Sequence, residues 1–169
     1  PPGTTPRPGG IIESNGLMLA AMAEEWGAEA VLMNPVPDIP ALLKAALLDA
    51  LAEYDVVVVN AGSSAGTEDY TASLVEELGE LLVHGVAIRP GHPVVLGLVA
   101  GKPILGIPGY PVSASLTLEL FLKPVVEAKL GLVPRARERT TALLTRKVLS
   151  PIGEDEYLRV RLGVVGDKT

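Results

Sequence analysis

The chain predicts an α/β fold, a three-layer α/β/α sandwich built on a mostly parallel sheet. Two observations carry that expectation. Segments with an apolar stripe at helical spacing alternate with short apolar runs up to about residue 131, the order that layered α/β domains require. Residues Val56, Val57, Val58 and Val59 are consecutive valines, and a β-branched run without polar alternation marks a strand covered on both faces, as in parallel sheets. With 48% hydrophobic residues among 169, there is enough apolar surface for a sizeable core.

The elements follow in order. "PPGTTPRPGG" forms no regular element, because proline removes backbone donors and glycine weakens local order. From Asn15 the apolar positions Met18, Met22 and Trp26, with Ala21 beside them, predict a helix of about three turns that stops at Gly27. Ala28 to Met33 reads as a strand, "NPVPDIP" as a turn, and Leu43, Leu47, Ala50 and Leu51 as the inner face of a second helix. The valine strand follows, and Leu74, Val75 and Leu78 then mark a third helix closed by Gly79.

"LLVHGVAI" and "PVVLGLV" read as further strands, and Ala100-Gly101 as the tight turn of a hairpin leading into "KPILGI". Val112, Leu116 and Leu120 predict a fourth helix that Pro124 kinks or ends, with Gly131 and Pro134 closing the segment. Beyond this point "TTALLTRKVLS", a "PIGED" turn and "EYLRVRLGVV" alternate at period two. They predict a β appendage. A lone hairpin is marginal, so it begins a β domain or packs on the main one. The domain reading is therefore 1–134 for the α/β unit and 135–169 for the start of a β domain.

A net charge of −6 and a pI near 4.9 exclude a nucleic-acid surface and a polybasic membrane patch, which need clustered cations. No apolar run approaches the roughly 20 residues of a membrane span, and the N-terminus lacks the pattern of a signal peptide. The absence of cysteine excludes disulfides and thiolate metal sites and fits a cytoplasmic protein. The chain lacks an initiator Met and reads as a fragment.

"NAGSSAGTEDYT", residues 60 to 71, leaves the valine strand. In open α/β sheets ligands sit beyond the carboxyl ends of strands. Small residues there let backbone N–H groups approach an anion, Ser63 and Ser64 add hydroxyls, and a nearby helix start adds a favourable dipole. Glu68 and Asp69 supply carboxylates for a metal ion or a polar ligand group. The same stretch also reads as a plain strand-to-helix turn with Thr67 or Asp69 as N-cap. Two further loops strengthen the ligand reading: "IRPGHP", where Arg89 and His92 flank a Pro-Gly turn, and "GIPGYPVSASLT", which places Gly109, Tyr110 and Ser113 at the start of the fourth helix. Adjacent strands would bring the three together on one anionic ligand.

Other residues have plainer readings. His84 lies in an apolar strand and reads as a structural histidine; Trp26 and the methionines read as core, and Glu24-Glu25 and Glu76-Glu77 as solvated helix surface. Two histidines in separate segments carry no zinc signal.

Four stretches together resemble the central domain of the molybdopterin molybdenumtransferase family, the MoeA and gephyrin C-terminal proteins, related in fold to MoaB and MogA. "GGIIESNGLMLAAMAEEWGAEA" is similar to the family segment with an Asp-Ser-Asn core, here Glu13-Ser14-Asn15. The 60–71 loop resembles its Ser-Gly-Gly-x-Ser-x-Gly loop ending in Asp-Tyr-Thr, matched by Gly62, Ser64, Gly66, Asp69, Tyr70 and Thr71. "AIRPGHPVVLG" resembles its Lys-Pro-Gly-Lys-Pro loop, and "GIPGYPVSASLTLELFLKP" its Gly-Asn-Pro-Val-Ser-Ala turn and helix. Residues 140 to 165 are similar to the start of the family's C-terminal β-barrel.

The resemblance implies a role in molybdenum cofactor biosynthesis: binding adenylated molybdopterin, inserting molybdenum from molybdate and releasing AMP, with Mg²⁺, in a homodimer of the full-length protein. It implies a ligand-binding set of Asn15, Gly62, Ser63, Ser64, Gly66, Gly109, Tyr110 and Ser113. Asp69 would bind the metal or orient the nucleotide, and Arg89 and His92 would stand where two lysines attract the anion, so these three form the catalytic set. The family's central domain begins with a strand ending in Thr-Gly-Asp-Glu-Leu and completes its site with upstream domains. Neither is present, so the fragment is expected to lack full activity.

Arg is a planar fork and His only partly charged near neutrality, so neither reproduces a lysine point charge. Asn60-Ala61 also replaces Ser-Gly, and Tyr110 replaces Asn. Three readings therefore stand: a molybdenum-inserting enzyme domain, a module that binds or senses the cofactor without turnover, and a scaffold whose loops bind no pterin. The adenylylating MogA-type reading fits less well, since the β tail and "GYPVSA" helix match the insertase.

Overall fold

The computed structural model describes residues 3, 5, 12–61, 70–133 and 138–164. Its elements are α1 (Asn15–Glu25), α2 (Pro40–Glu53), β1 (Val57–Ala61), α3 (Tyr70–Leu78), β2 (Glu80–His84), β3 (Ile88–Arg89), β4 (Val95–Val99), β5 (Lys102–Pro108), α4 (Pro111–Thr117), a π-helical turn (Leu118–Leu122), α5 (Lys123–Lys129) and β6 (Asp155–Glu156). The main sheet has the order β1-β5-β4-β2, and β3 pairs separately with β6. β1 and β5 are parallel, while β4 is antiparallel to both β5 and β2. Three strands thus share a direction, and β4 is reversed because the Ala100-Gly101 turn folds it directly onto β5. Both turn residues have positive φ, 49° and 75°, as a two-residue hairpin requires.

The valines of β1 divide between the two faces of the sheet. Val56 and Val58 pack on a cluster containing Leu19, Ala23, Leu105, Ile107, Leu118 and Leu122; Val57 and Val59 pack on another containing Leu47, Leu51, Leu74, Val75, Val95 and Ile104. This is the three-layer arrangement: α1 and α4 lie on one face, α2 and α3 on the other. In α1 the buried apolar residues are Leu19 and Ala23, with Met18, Met22 and Trp26 packed partly buried beside them, while Ala21 faces solvent.

Two local expectations are corrected, and a third is decided between its two alternatives. Ala28 to Met33 is not a strand: Ala28 and Ala30 pack on the core, but the segment joins neither sheet, and Val31, Leu32 and Met33 are exposed. Its apolar run fits a strand, yet a strand also needs a hydrogen-bonded neighbour. In α4 the buried face is Ala114, Thr117 and Leu118 rather than Val112, Leu116 and Leu120. Small Ala114 and self-satisfied Thr117, whose Oγ1 donates to Ser113 O or Ala114 O (2.9 and 3.0 Å), allow the closer approach.

Nor does Pro124 end the helix. The π turn precedes it, with Lys123 N donating to Leu118 O, and the wider turn absorbs the donor that proline lacks.

His84 sits exposed at the end of β2, which alternates exposed and half-buried positions. Glu24, Glu25, Glu76 and Glu77 are exposed, as expected. In the tail, residues 152–153 form the expected turn, but the flanking arms do not pair with each other. Residues 155–156 join β3 instead, so the tail packs on the main unit and no closed barrel is formed among the described residues. No helix among them is long and apolar enough to cross a membrane.

Candidate functional site

β1 and β5 end side by side, Asn60 opposite Ile107 and Ala61 opposite Pro108. At that end Asn15, the first residue of α1 and 7% exposed, donates from Nδ2 to Gly109 O at 2.6 Å and to Asn60 Oδ1 at 3.4 Å. Asn60 Nδ2 donates in turn to Glu13 Oε1 at 3.2 Å, and Gly16 N donates to the same oxygen at 2.8 Å. One network therefore ties the start of α1, the end of the valine strand and the loop leading into α4. The carboxylate of Glu13 also faces the positive end of α1, which the helix dipole favours.

Beyond Gly109, Tyr110 is the residue before α4 and is 66% exposed; Ser113 lies half-buried in the first turn. Gly109, Tyr110 and Ser113 thus stand at the start of α4, as the sequence predicts, and Asn15 at the start of α1 joins them at the same strand end. Gly62, Ser63, Ser64, Gly66 and Asp69 lie outside the described residues. The adjoining Thr71 is buried against β5, where a Cβ on Gly106 would come within 2.9 Å of its Cγ2.

The Arg89–His92 loop reaches the same end of the sheet, because β4 begins at Val95 opposite Gly106 near the end of β5. It follows a cis Arg89–Pro90 bond and turns at Gly91, φ 110°. His92 is exposed, and its carbonyl accepts from Val86 N and Val94 N at 3.0 and 2.9 Å. The loop rests on α4: a Cβ on Gly91 would stand 2.7 Å from Thr117 Cγ2. Gly91→Ala therefore combines backbone strain with overpacking and is expected to lower stability by about 2 kcal/mol. Thermal unfolding followed by circular dichroism checks this; a melting temperature equal to that of the parent would show that the loop is not seated on α4.

Two residues that matter here, Asn60 and Glu13, were quoted in the sequence but not singled out as site residues. The available signal was Asn60 as the first polar residue after the valines. A third, Glu154, carried no signal. Its Oε2 lies 2.7 Å from Arg89 Nε, and the β3–β6 ladder holds the two segments together, with Asp155 N donating to Ala87 O (2.8 Å) and Tyr157 N to Arg89 O (2.7 Å). A cleft of about 420 Å³ lies beside this contact, bounded by Pro90, Ser115, Glu119, Tyr157 and Arg159, with Arg159 donating to Ser115 Oγ at 3.2 Å.

Among the described residues, the start of α1, the Gly109–Ser113 turn and the Arg89–His92 loop thus reach one end of the sheet. A family model described as "Probable molybdopterin binding domain" matches residues 3–128. The chain belongs to this family.

Within it, the domain is 36% identical to molybdopterin molybdenumtransferase 2 of Mycobacterium tuberculosis, over 95% of this chain and 41% of that protein. It is 35% identical to the molybdopterin molybdenumtransferase of a Nostoc species, over 74% of this chain and 29% of that one. The crystal structure of the molybdopterin biosynthesis MoeA protein from Pyrococcus horikoshii superposes with a TM-score of 0.70 at 41% identity, covering 78% of this chain and 32% of that chain. The domain is thus of the MoeA type, as the four motifs implied, and it spans about two fifths or less of the length of these relatives.

Proposed function

We propose that this domain binds the adenylated molybdopterin substrate of a molybdenum-inserting transferase in cofactor biosynthesis. The observation that carries the reading is the Asn15 network. It uses a buried amide to tie the start of α1 to the two adjacent strand ends, and preorganised loops are what ligand recognition requires. In this reading Asn15 and Asn60 hold the Gly109–Ser113 turn, and Tyr110 and Ser113 face the ligand. Arg89 offers guanidinium donors to an oxyanion, either the phosphate of the substrate or molybdate. The loop containing Gly62, Ser63, Ser64 and Gly66, outside the described residues, would contact the phosphate region of the ligand, and the protein would work as a homodimer.

Mg²⁺ belongs to the same reading through Asp69. Among the described residues no group of three Asp, Glu or His side chains could hold a metal ion. The chemistry asked of the domain's own residues is binding and orientation: holding the anionic ligand while molybdenum is inserted from molybdate and water cleaves the phosphoanhydride to release AMP.

The decisive experiment is calorimetric titration of the full-length parent with adenylated molybdopterin, with and without molybdate and Mg²⁺, followed by an assay for AMP. Molybdate-dependent AMP release supports insertion, and absence of binding overturns the reading. Arg89→Ala should weaken ligand binding by roughly tenfold, the value of one hydrogen bond to a charged group; unchanged affinity would remove Arg89 from the site. Binding without AMP release would instead indicate a module that recognises the cofactor. That second reading is favoured by one contact: the charge of Arg89 is already met by Glu154.

A further inference from the structure

We propose that Glu154 gates the anion affinity of the Arg89 loop, acting as a specificity-determining residue that competes with the ligand for the guanidinium. The proposal rests on the reading of Arg89 as an anion-binding residue. Three features of the contact support it.

First, Glu154 is placed rather than adventitious. The parallel bridge pairs Ile88 with Asp155 and Arg89 with Glu156, so the residue just before β6 is delivered to the side of Arg89 by backbone hydrogen bonds on both sides of the loop. Second, the pair is unequal. The Arg89 side chain is 59% exposed and the Glu154 side chain 26%, so the carboxylate forms the inner wall while the guanidinium still faces solvent. The contact is made at Nε, and the guanidinium's terminal nitrogens are the donors best placed to grip an oxyanion. Third, it is weak enough to yield. Glu154 Oε2 is buried and approaches Nε at 2.7 Å without hydrogen-bond alignment, and half-exposed pairs of this kind contribute little. Glu156, the register partner of Arg89, adds a second carboxylate with a buried, unbonded oxygen.

A cation with a carboxylate beside it attracts anions less strongly than a free one, and an incoming oxyanion must compete with Glu154 for it. The tail segment carrying Glu154 thereby sets the charge that a ligand meets at the loop. Glu154 touches no reacting atom in this scheme and acts only through Arg89.

The test uses sodium molybdate alone as probe, titrated at low ionic strength into the 169-residue chain and followed by the Arg89 Nε–Hε resonance and by calorimetry. Glu154→Gln removes the charge at constant shape and should tighten molybdate binding about two- to fivefold, the range an exposed ion pair spans. Glu154→Asp should stay near the parent value. In an Arg89→Ala background, Glu154→Gln should change nothing. Equal or weaker binding by Glu154→Gln, with Arg89→Ala still losing affinity, overturns the gate and leaves the anion role of Arg89 standing. Parent-like binding by Arg89→Ala overturns that role and the gate with it, as does absence of molybdate binding to any variant. Tightening by Glu154→Gln that persists without Arg89 shows a general charge effect and also overturns the gate.

Discussion

Gly97→Ala is expected to lower stability by about 2–3 kcal/mol, and so the melting temperature by roughly 4–10 °C. Gly97 lies in β4 between Leu81 of β2 and Ile104 of β5. A Cβ there would stand 2.3 Å from Val75 Cγ1 and 2.8 Å from Glu80 O. Neither neighbour can give way: Val75 is fully buried at the centre of the core on that face, and the oxygen belongs to the backbone of the adjacent strand. Gly101 supplies the control. Its φ is 75° and nothing lies within 4 Å of an added Cβ, so Gly101→Ala carries backbone strain alone, about 1 kcal/mol. Thermal melts of the two variants separate packing from conformation. If Gly101→Ala proves the more damaging, α3 does not pack against the sheet at Val75 as described.

The second large effect concerns the site. Asn15→Ala should destabilise the domain by about 2 kcal/mol, because a buried donor is removed and the Gly109 carbonyl and Asn60 amide lose their partner. It should also weaken ligand binding beyond what the stability loss explains, since the Gly109–Ser113 turn is no longer tied to α1. Asn15→Asp sharpens the test. It keeps the volume but replaces the donor with an oxygen facing the Gly109 carbonyl, so it should be at least as damaging as alanine. Circular dichroism and ligand titration on both variants check this, and a parent-like Asn15→Asp would show that donation to Gly109 does not hold the turn.

Much of this was legible from local sequence. The consecutive valines announced a strand covered on both faces, and they do divide between the two core clusters. Ala100-Gly101 announced the hairpin, and the glycine-bearing loops marked the strand ends at which Asn15 and Gly109 meet. Side-chain periodicity records which faces are buried, and turn chemistry records which φ values are needed; both are properties of a few neighbouring residues.

What only the tertiary structure decided are relations between distant segments. Ala28 to Met33 has the pattern of a strand but no ladder, because pairing depends on a neighbour that periodicity does not encode. The buried stripe of α4 is set by how closely the Gly91 loop and β5 approach it, which selects Ala114 and Thr117 over the larger Val112 and Leu116. Asn15 finds Gly109 at a separation of 94 positions, and Arg89 finds Glu154 only because β6 adds to β3. The sequence alone determined the layers, the turns and the loops that leave the strand ends. The tertiary structure decided which charges those loops present, since an ion pair depends on distance in space, to which the local pattern of the chain is blind.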